Sequence, residues 1–377
     1  MIKIREVEDK DLIPLSEFLP TGFPYTTKKF WIRVFDRWWI NNPAYTPNIP
    51  RGWVIEQDTA LLGFIGNIPV KFLVNGATKI AAASNSWYVD PSVRGIPSIR
   101  LFNEFLKQKN VSLFLFKKGV DESIINILSK YKFDEFILPR SQKEYFYIID
   151  KKMDKKKLFM IFSLYIKRDK RTKLPEFFYF YKRLIILLFA YVYQKPVNRE
   201  NFLPNQLYTS SLCTSCDESF SMLWKPYIDS CTISLSHDTK TLNWLYFSSP
   251  LCNKRVVIQC TRLSDKTLAG YMVFDIKRMK PSDDGIMALM DICIENNDPK
   301  VIASLLSFAI KTGKQNNAAL LTMWANNQET ENYFKKIFFM RKTAKNFRYI
   351  KYSDPHELHG GMAKQCTVCL PMIFPPQ

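Results

Sequence analysis

The chain lacks a clean apolar stretch of the roughly 20 residues needed to cross hydrocarbon. Its most apolar run, residues 177–193, is broken near the centre by Lys182 and Arg183, which argues against a transmembrane helix. It also lacks a P-loop, a dinucleotide fingerprint and a metalloprotease motif, so none of those chemistries is announced by a motif. Histidine is scarce: the three are His237, His356 and His359. No leader is expected from the opening Met1-Ile2-Lys3-Ile4-Arg5-Glu6, which runs directly into a polar, helix-opening stretch. The eight cysteines all sit in the second half, several inside apolar runs, which fits a reduced compartment better than a disulfide framework and predicts an intracellular setting. Acidic residues are in deficit, 35 against 54 Lys and Arg, for a formal charge of +19.

What is present is a duplication. From Trp53 the pattern reads extended segment, turn at Gln57-Asp58-Thr59, strand Leu61–Gly66, strand Ile80–Val89, turn at Asp90-Pro91, helix near 98–109, strand Val111–Phe116, helix near 121–131 and strand Phe133–Leu138. From Val256 the same order returns, with a turn at Ser264–Thr267, strands Leu268–Phe274 and Ile286–Ile294, a turn at Asn297-Asp298-Pro299, helix 300–313, strand Ala318–Trp324, helix 328–337 and strand Phe347–Tyr352. A repeat this long predicts two similar globular domains, and 377 residues with 47% hydrophobic content supply a core for each. The expected boundaries are 1–148 and 205–377, with 149–204 as a connector.

That connector is basic and aromatic. Between 151 and 200, 14 Lys and Arg stand against 4 Asp and Glu. The pattern supports an interfacial helix at an anionic membrane through 151–193, where each basic residue contributes about 1 kcal/mol. A helical linker with a solvated basic face, or a phosphate-binding surface for nucleic acid, fits the same composition. No helix-turn-helix, zinc-finger or RNA-binding signature accompanies it, which makes nucleic acid the weakest of the three.

The strand-turn-helix order, together with Trp87-Tyr88-Val89-Asp90-Pro91-Ser92-Val93-Arg94-Gly95, resembles the GNAT superfamily of acyltransferases in tandem. Ile4–Leu15 resembles the family's first strand and capped first helix, with Asp9 or Asp11 as the cap. Trp39-Ile40-Asn41-Asn42-Pro43 and Asn243–Pro250 are similar to a Trp-to-Pro element of tandem members in polysaccharide and secondary-metabolite pathways. The resemblance implies an α/β fold of two GNAT-like domains, each a mixed, mostly antiparallel sheet flanked by helices.

It also implies a donor site. In that fold a helix N-terminus holds the pyrophosphate of coenzyme A through backbone N–H groups, which points to Arg94, Gly95 and Ser98. Pro97 and Ile99 stand where the family has glycine or a small residue, and this blunts the anion nest. The second turn, Glu295–Lys300, carries two carboxylates, and Asp298 is expected to cap a helix opening at Pro299. The family's late-helix tyrosine, its usual acid, aligns with Leu128 and Phe334; Tyr333, one residue off, is the candidate. Asp291, interrupting an apolar strand, is the candidate base, with a structural carboxylate as the alternative. Asn85 is a polar candidate contact in the first copy. Asn243, Trp244 and Tyr246 line an acceptor cleft in this reading or are core.

His356, His359, Cys366 and Cys369, with Cys213 and Cys216 as a distant pair, have zinc-ligand chemistry. The tight spacing and the Gly360-Gly361 hinge speak against a site, and no metal is assigned. A cysteine nucleophile paired with His237 lacks a third orienting group. The expected function is acyl transfer from a thioester, on coenzyme A or an acidic acyl carrier protein, to an amine or hydroxyl of a sugar, another metabolite or a lipid-linked acceptor. No tightly bound cofactor is expected. The expected location is cytoplasmic or peripheral on the inner membrane face. A FemABX-type aminoacyl-tRNA-dependent transferase and a silent membrane-surface binding protein remain as alternatives.

Overall fold

The computed structural model describes residues 2–74, 76–117, 122–137, 143–149, 181, 207–228, 233–248, 254–278, 285–325, 327–337, 339–342 and 347–352. The connector, Ile149 and Tyr181 apart, and the C-terminal His/Cys cluster lie outside the described residues. Among those described, no helix is long and apolar enough to cross a membrane.

The elements run β1 (Lys3–Glu6), α1 (Leu12–Gly22), α2 (Lys28–Phe35), β2 (Gly52–Gln57), β3 (Ala60–Val74), β4 (Ala77–Val89), α3 (Ile96–Leu106), β5 (Leu113–Lys117), α4 (Glu122–Lys130), β6 (Asp134–Ile137) and β7 (Lys143–Ile148). There follow β8 (Tyr208–Cys213), α5 (Glu218–Ile228), β9 (Ile233–Leu235), α6 (Thr239–Phe247), β10 (Lys254–Arg262), β11 (Leu268–Arg278) and β12 (Gly285–Ile294). The chain continues through α7 (Pro299–Gln315), β13 (Ala318–Met323), α8 (Gln328–Ile337), β14 (Phe339–Lys342) and β15 (Phe347–Tyr352). Local chemistry sets the turns. Asp58 and Thr59 both take positive φ (49° and 72°), the conformation whose twist matches a tight hairpin between β2 and β3. In the corresponding turn of the second copy, Asp265 accepts from Thr267 N at 3.0 Å and Thr267 Oγ1 at 2.7 Å. Asp298 caps α7 by accepting from Lys300 N at 2.8 Å, with Pro299 at the first helical position. Asp11 precedes α1 but turns its carboxylate to Arg5 and to Glu8 N, tying β1 to the helix start instead of capping it.

Two sheets result. The first runs β1-β2-β3-β4-β5-β15-β6, with β9 added to the far end of β3; the second runs β8-β10-β11-β12-β13-β7-β14. Apart from β9 the two orders are the same, and in each the inner pair, β4 with β5 and β12 with β13, is parallel within an otherwise antiparallel sheet. Gly63 and Gly270 occupy the same step of the two copies, opposite Val89 and Ile294. A Cβ at Gly270 would lie 3.0 Å from the Cys293 carbonyl oxygen and 2.8 Å from Val301 Cγ1, so a side chain there would press on the paired strand and on α7.

The expected boundaries need correction. β7 was expected in the first domain and β15 in the second, yet β7 pairs with β13 and β14, and β15 with β5 and β6. Residue contacts divide the chain into Met1–Leu138 with Trp224–Cys252 and Phe347–Gln377, and Pro139–Leu223 with Asn253–Asn346. The alternation of a strand fixes its two faces, not its partner, so a reading in chain order misplaces exchanged strands.

Each sheet packs one face on the helix that follows its long strand. In the first unit Leu101, Phe102 and Phe105 of α3 bury against Trp53, Ile65, Ala82, Val89 and Phe114, and Trp87 stacks on Phe102 at 4.8 Å. In the second, Val301, Ile302, Leu305, Leu306 and Ala309 form an α7 stripe at helical spacing over Met272, Phe274, Met287, Leu289 and Ile292. The opposite face of the first sheet carries an aromatic layer in which Phe35 stacks on Trp39 at 5.0 Å. Trp39 Nε1 donates to Asn67 O at 2.8 Å, and Asn42 Nδ2 to the Trp38 and Pro69 carbonyls.

Candidate functional site

In both units the parallel inner strands part. β4 pairs with β5 only through Ala81, Ala82 and Ala83, although it continues to Val89. β12 pairs with β13 from Gly285 to Ala288, although it continues to Ile294. Just beyond the last pair each long strand bulges: the register of β3 with β4 shifts between Phe64 and Gly66 at Ser86 (φ 53°), and that of β11 with β12 shifts at Met290. A bulge adds a residue and bends its strand, so it steers the strand away from its parallel neighbour. The result in each unit is a wedge between the two parted strands.

The two wedges are finished differently. In the first, Asn85 lies on the parted segment, and its Nδ2 is buried with no hydrogen-bond partner among the described residues. Its Oδ1 accepts from Ser86 Oγ at 3.2 Å. Tyr88, on the same face beyond the bulge, packs on Phe18 (5.3 Å) and Phe23 (6.0 Å). In the second, Trp324 at the end of β13 donates its indole N–H to Leu289 O at 2.9 Å, crossing the gap one step past the last backbone pair.

The turns after the wedges differ as well. Asp90 accepts from Ser92 N (2.9 Å) and Ser92 Oγ (2.6 Å), which hold its carboxyl below the ordinary range. Arg94 Nε donates to Val89 O at 2.9 Å, and Gly95 takes φ 108°, a left-handed value that favours glycine, immediately before α3. Pro97 removes one N–H from the first turn of α3, and Ile96 stands 77% exposed. In the second turn Arg262 pairs with Glu295 at 2.5 Å, Tyr208 donates to Asp298 at 2.9 Å, and Asn327 Nδ2 bonds Asn297 Oδ1 at 2.5 Å. Its polar groups are turned on one another, not toward an anion.

Of the expected residues, Asn85, Arg94, Gly95 and Ser98 therefore share one end of the first sheet. Asp291 lies at the bulge of the second and is 0% exposed, accepting from Tyr271 Oη at 3.3 Å and Ile292 N at 2.9 Å. An acceptor amine would have to displace the Tyr271 hydroxyl to reach it. Tyr333 is half-buried on α8, and burial alone pushes its phenol up to about 12, so it holds its proton at neutral pH. Its neighbour Phe334 is fully buried against Tyr145, 5.7 Å away. Asn243, Trp244 and Tyr246 belong to the first unit: Trp244 and Tyr246 are buried, Trp244 Nε1 donates to Arg37 O at 2.8 Å, and Asn243 Nδ2 bonds Thr239 O within α6. Trp244 and Tyr246 thus lie in the core of that unit, and Asn243 is half-buried on α6.

Buried His237 stacks on Trp224 at 3.7 Å, and burial lowers its pKa to about 3, so it is neutral. Burial pushes the Cys216 and Cys293 thiols up, which removes them as nucleophiles at neutral pH. No group of three or more metal-ligating side chains occurs among the described residues. A cleft of about 260 Å³, lined by Glu6, Trp53, Glu104 and Lys107 among others, lies at the C-terminal end of α3, away from the wedge. Sequence reading missed Ile96, Tyr88 and Trp324; the first lies inside the turn between Gly95 and Pro97, at a position where the motif leaves the residue free.

No protein-family model matches the chain, and neither does any curated sequence. Solved structures do match. A GCN5-related N-acetyltransferase from Anabaena variabilis aligns over 95% of this chain and 74% of its own, at 10% identity and TM-score 0.57. A probable N-acyltransferase from Enterococcus faecalis gives 9% identity and TM-score 0.58, with the same coverage. The N-myristoyltransferase of Saccharomyces cerevisiae, solved with bound myristoyl-CoA, covers 97% of this chain and 88% of its own at 14% identity and TM-score 0.54. The chain has a tandem GNAT fold. Each copy carries one mixed sheet with flanking helices, and both part their inner strands. At these identities the tandem GNAT likeness establishes architecture, while the chemistry rests on the residues at each wedge.

Proposed function

We propose that this tandem GNAT protein is an acyltransferase whose first unit receives a pantetheine thioester between β4 and β5. The acceptor is an amine or hydroxyl of a sugar or other metabolite. The observation that carries the reading is Asn85: an amide nitrogen buried without a partner costs about 1–3 kcal/mol, and a ligand carbonyl in the wedge would recover it. The second wedge, crossed by Trp324 and followed by an acidic, internally bonded turn, supplies support for the fold.

The reaction is nucleophilic substitution at the thioester carbonyl. The acceptor lone pair attacks the carbon, the new C–N or C–O bond forms, the C–S bond breaks, and the acceptor's proton leaves while the departing thiolate gains one. The backbone groups at the bulge and Asn85 position the arm, and Tyr88 with Phe18 and Phe23 bounds the side from which an acceptor approaches.

The test is thioester consumption by the full chain, followed chromatographically with acyl-pantetheine donors and a panel of amino sugars, amines and alcohols. Asn85→Ala is expected to lower kcat/KM at least tenfold. Loss of no activity in Asn85→Ala, or absence of both turnover and binding for every donor, overturns the reading.

A further inference from the structure

We propose that the donor is presented by an acidic carrier protein bearing a phosphopantetheine arm, and that the start of α3 is its docking surface. This rests on the acyl-transfer reading above and names its partner. A diphosphate seated at a helix start needs several convergent N–H groups and close backbone approach. Here the second helical position is Pro97, which has no N–H to offer, and the first is Ile96. The Ile96 side chain is 77% exposed at the place where the charged end of free coenzyme A would lie. An apolar side chain at the mouth of a charged-ligand site offers that ligand no hydrogen bond, whereas an apolar spot on a protein partner would cover it.

The charges around Ile96 specify the partner's sign. Arg100 follows one helical turn later on the same face and is exposed, and Arg94, also exposed, precedes the helix with its Nε fixed on Val89 O at 2.9 Å. Asp90, the nearby carboxylate, is folded back onto Ser92, and farther along α3 Glu104 is neutralised by Lys107 at 2.7 Å. Two arginines flanking an exposed isoleucine match an acidic surface with an apolar spot, and the +19 charge of the chain steers such a partner from a distance. The wedge behind Gly95 then takes the pantetheine arm, for which a single phosphate suffices.

The experiment titrates the full chain with coenzyme A, with 4′-phosphopantetheine, and with an acidic bacterial acyl carrier protein in its holo and apo forms. The holo carrier is expected to bind at least tenfold more tightly than coenzyme A, and Ile96→Asp and Arg100→Glu are each expected to weaken it at least tenfold while melting temperature is unchanged. The double variant Ile96→Gly, Pro97→Gly is expected to gain affinity for coenzyme A. Equal or tighter binding of coenzyme A by the native chain, with phosphopantetheine bound, overturns the carrier and leaves acyl transfer standing. Failure of all pantetheine species to bind overturns both. Binding to anionic phosphatidylglycerol vesicles that Ile96→Asp abolishes, with no carrier binding, would assign the surface to a membrane and also overturns the proposal.

Discussion

Asp291 shows how much a single residue tells before its surroundings are known. A carboxylate in an apolar strand announces that something compensates it, and that much is legible in Ala288–Ile294. Whether the compensation is an acceptor amine or a tyrosine depends on which side chain lies across the sheet, and pairing puts Tyr271 within 3.3 Å. Asp291→Asn keeps the shape and an acceptor oxygen, so thioester turnover is expected to change less than threefold, with a stability loss of about 1–3 kcal/mol seen in chemical denaturation. A hundredfold fall in kcat at unchanged stability would instead make Asp291 the base. The turn at Arg94-Gly95 was legible as a turn through the family resemblance, and Gly95 takes φ 108° there. The surroundings of Trp244 and Tyr246 were not, since an aromatic on a helix serves a cleft or a core with the same periodicity, and here Arg37 O takes the Trp244 indole.

Elements were easier to read than their partners. The hairpin turns, the Asp298-Pro299 helix start and α8 at Gln328–Ile337 lie where alternation and capping chemistry put them, because those signals act over a few residues. The bulges at Ser86 and Met290 have no such signal; they show only as register shifts against β3 and β11. β7 illustrates the energetic side. Its Lys143 reaches across to Glu331 of α8 at 2.5 Å, and Lys335 joins at 2.9 Å. Burial pushes the Glu331 carboxyl up, but the two lysines outweigh it and hold the group at about 2, below its ordinary 4.5. A depressed carboxylate contributes stability that is whole above about pH 4.5 and disappears as pH falls through about 2. Glu331→Gln is therefore expected to cost about 2 kcal/mol at pH 7 and to flatten the loss of unfolding free energy between those two pH values. A variant with the same acid slope as the native chain would show that the joint titrates elsewhere.

At the scale of the molecule, the two sheets share one order only because each takes its sixth strand from the other half of the chain: β15 fills the slot between β5 and β6, and β7 the slot between β13 and β14. The duplication was visible in the sequence, down to Gly63 and Gly270, but the exchange was not, because alternation says nothing of the neighbour a strand will choose. It makes the halves mutually dependent. A fragment ending at residue 204 would keep β7 with no sheet to join and leave β5 and β6 without the strand between them, exposing unpaired edges on both. A fragment starting at residue 205 would lack β7 from the middle of its own sheet. Each alone is expected to be insoluble or to unfold without a cooperative transition, whereas the two co-expressed are expected to associate and recover the melting profile of the intact chain. Cooperative unfolding of either fragment by itself would mean that a sheet can close without its borrowed strand, and the exchange would then be an ornament of the topology with no hold on stability.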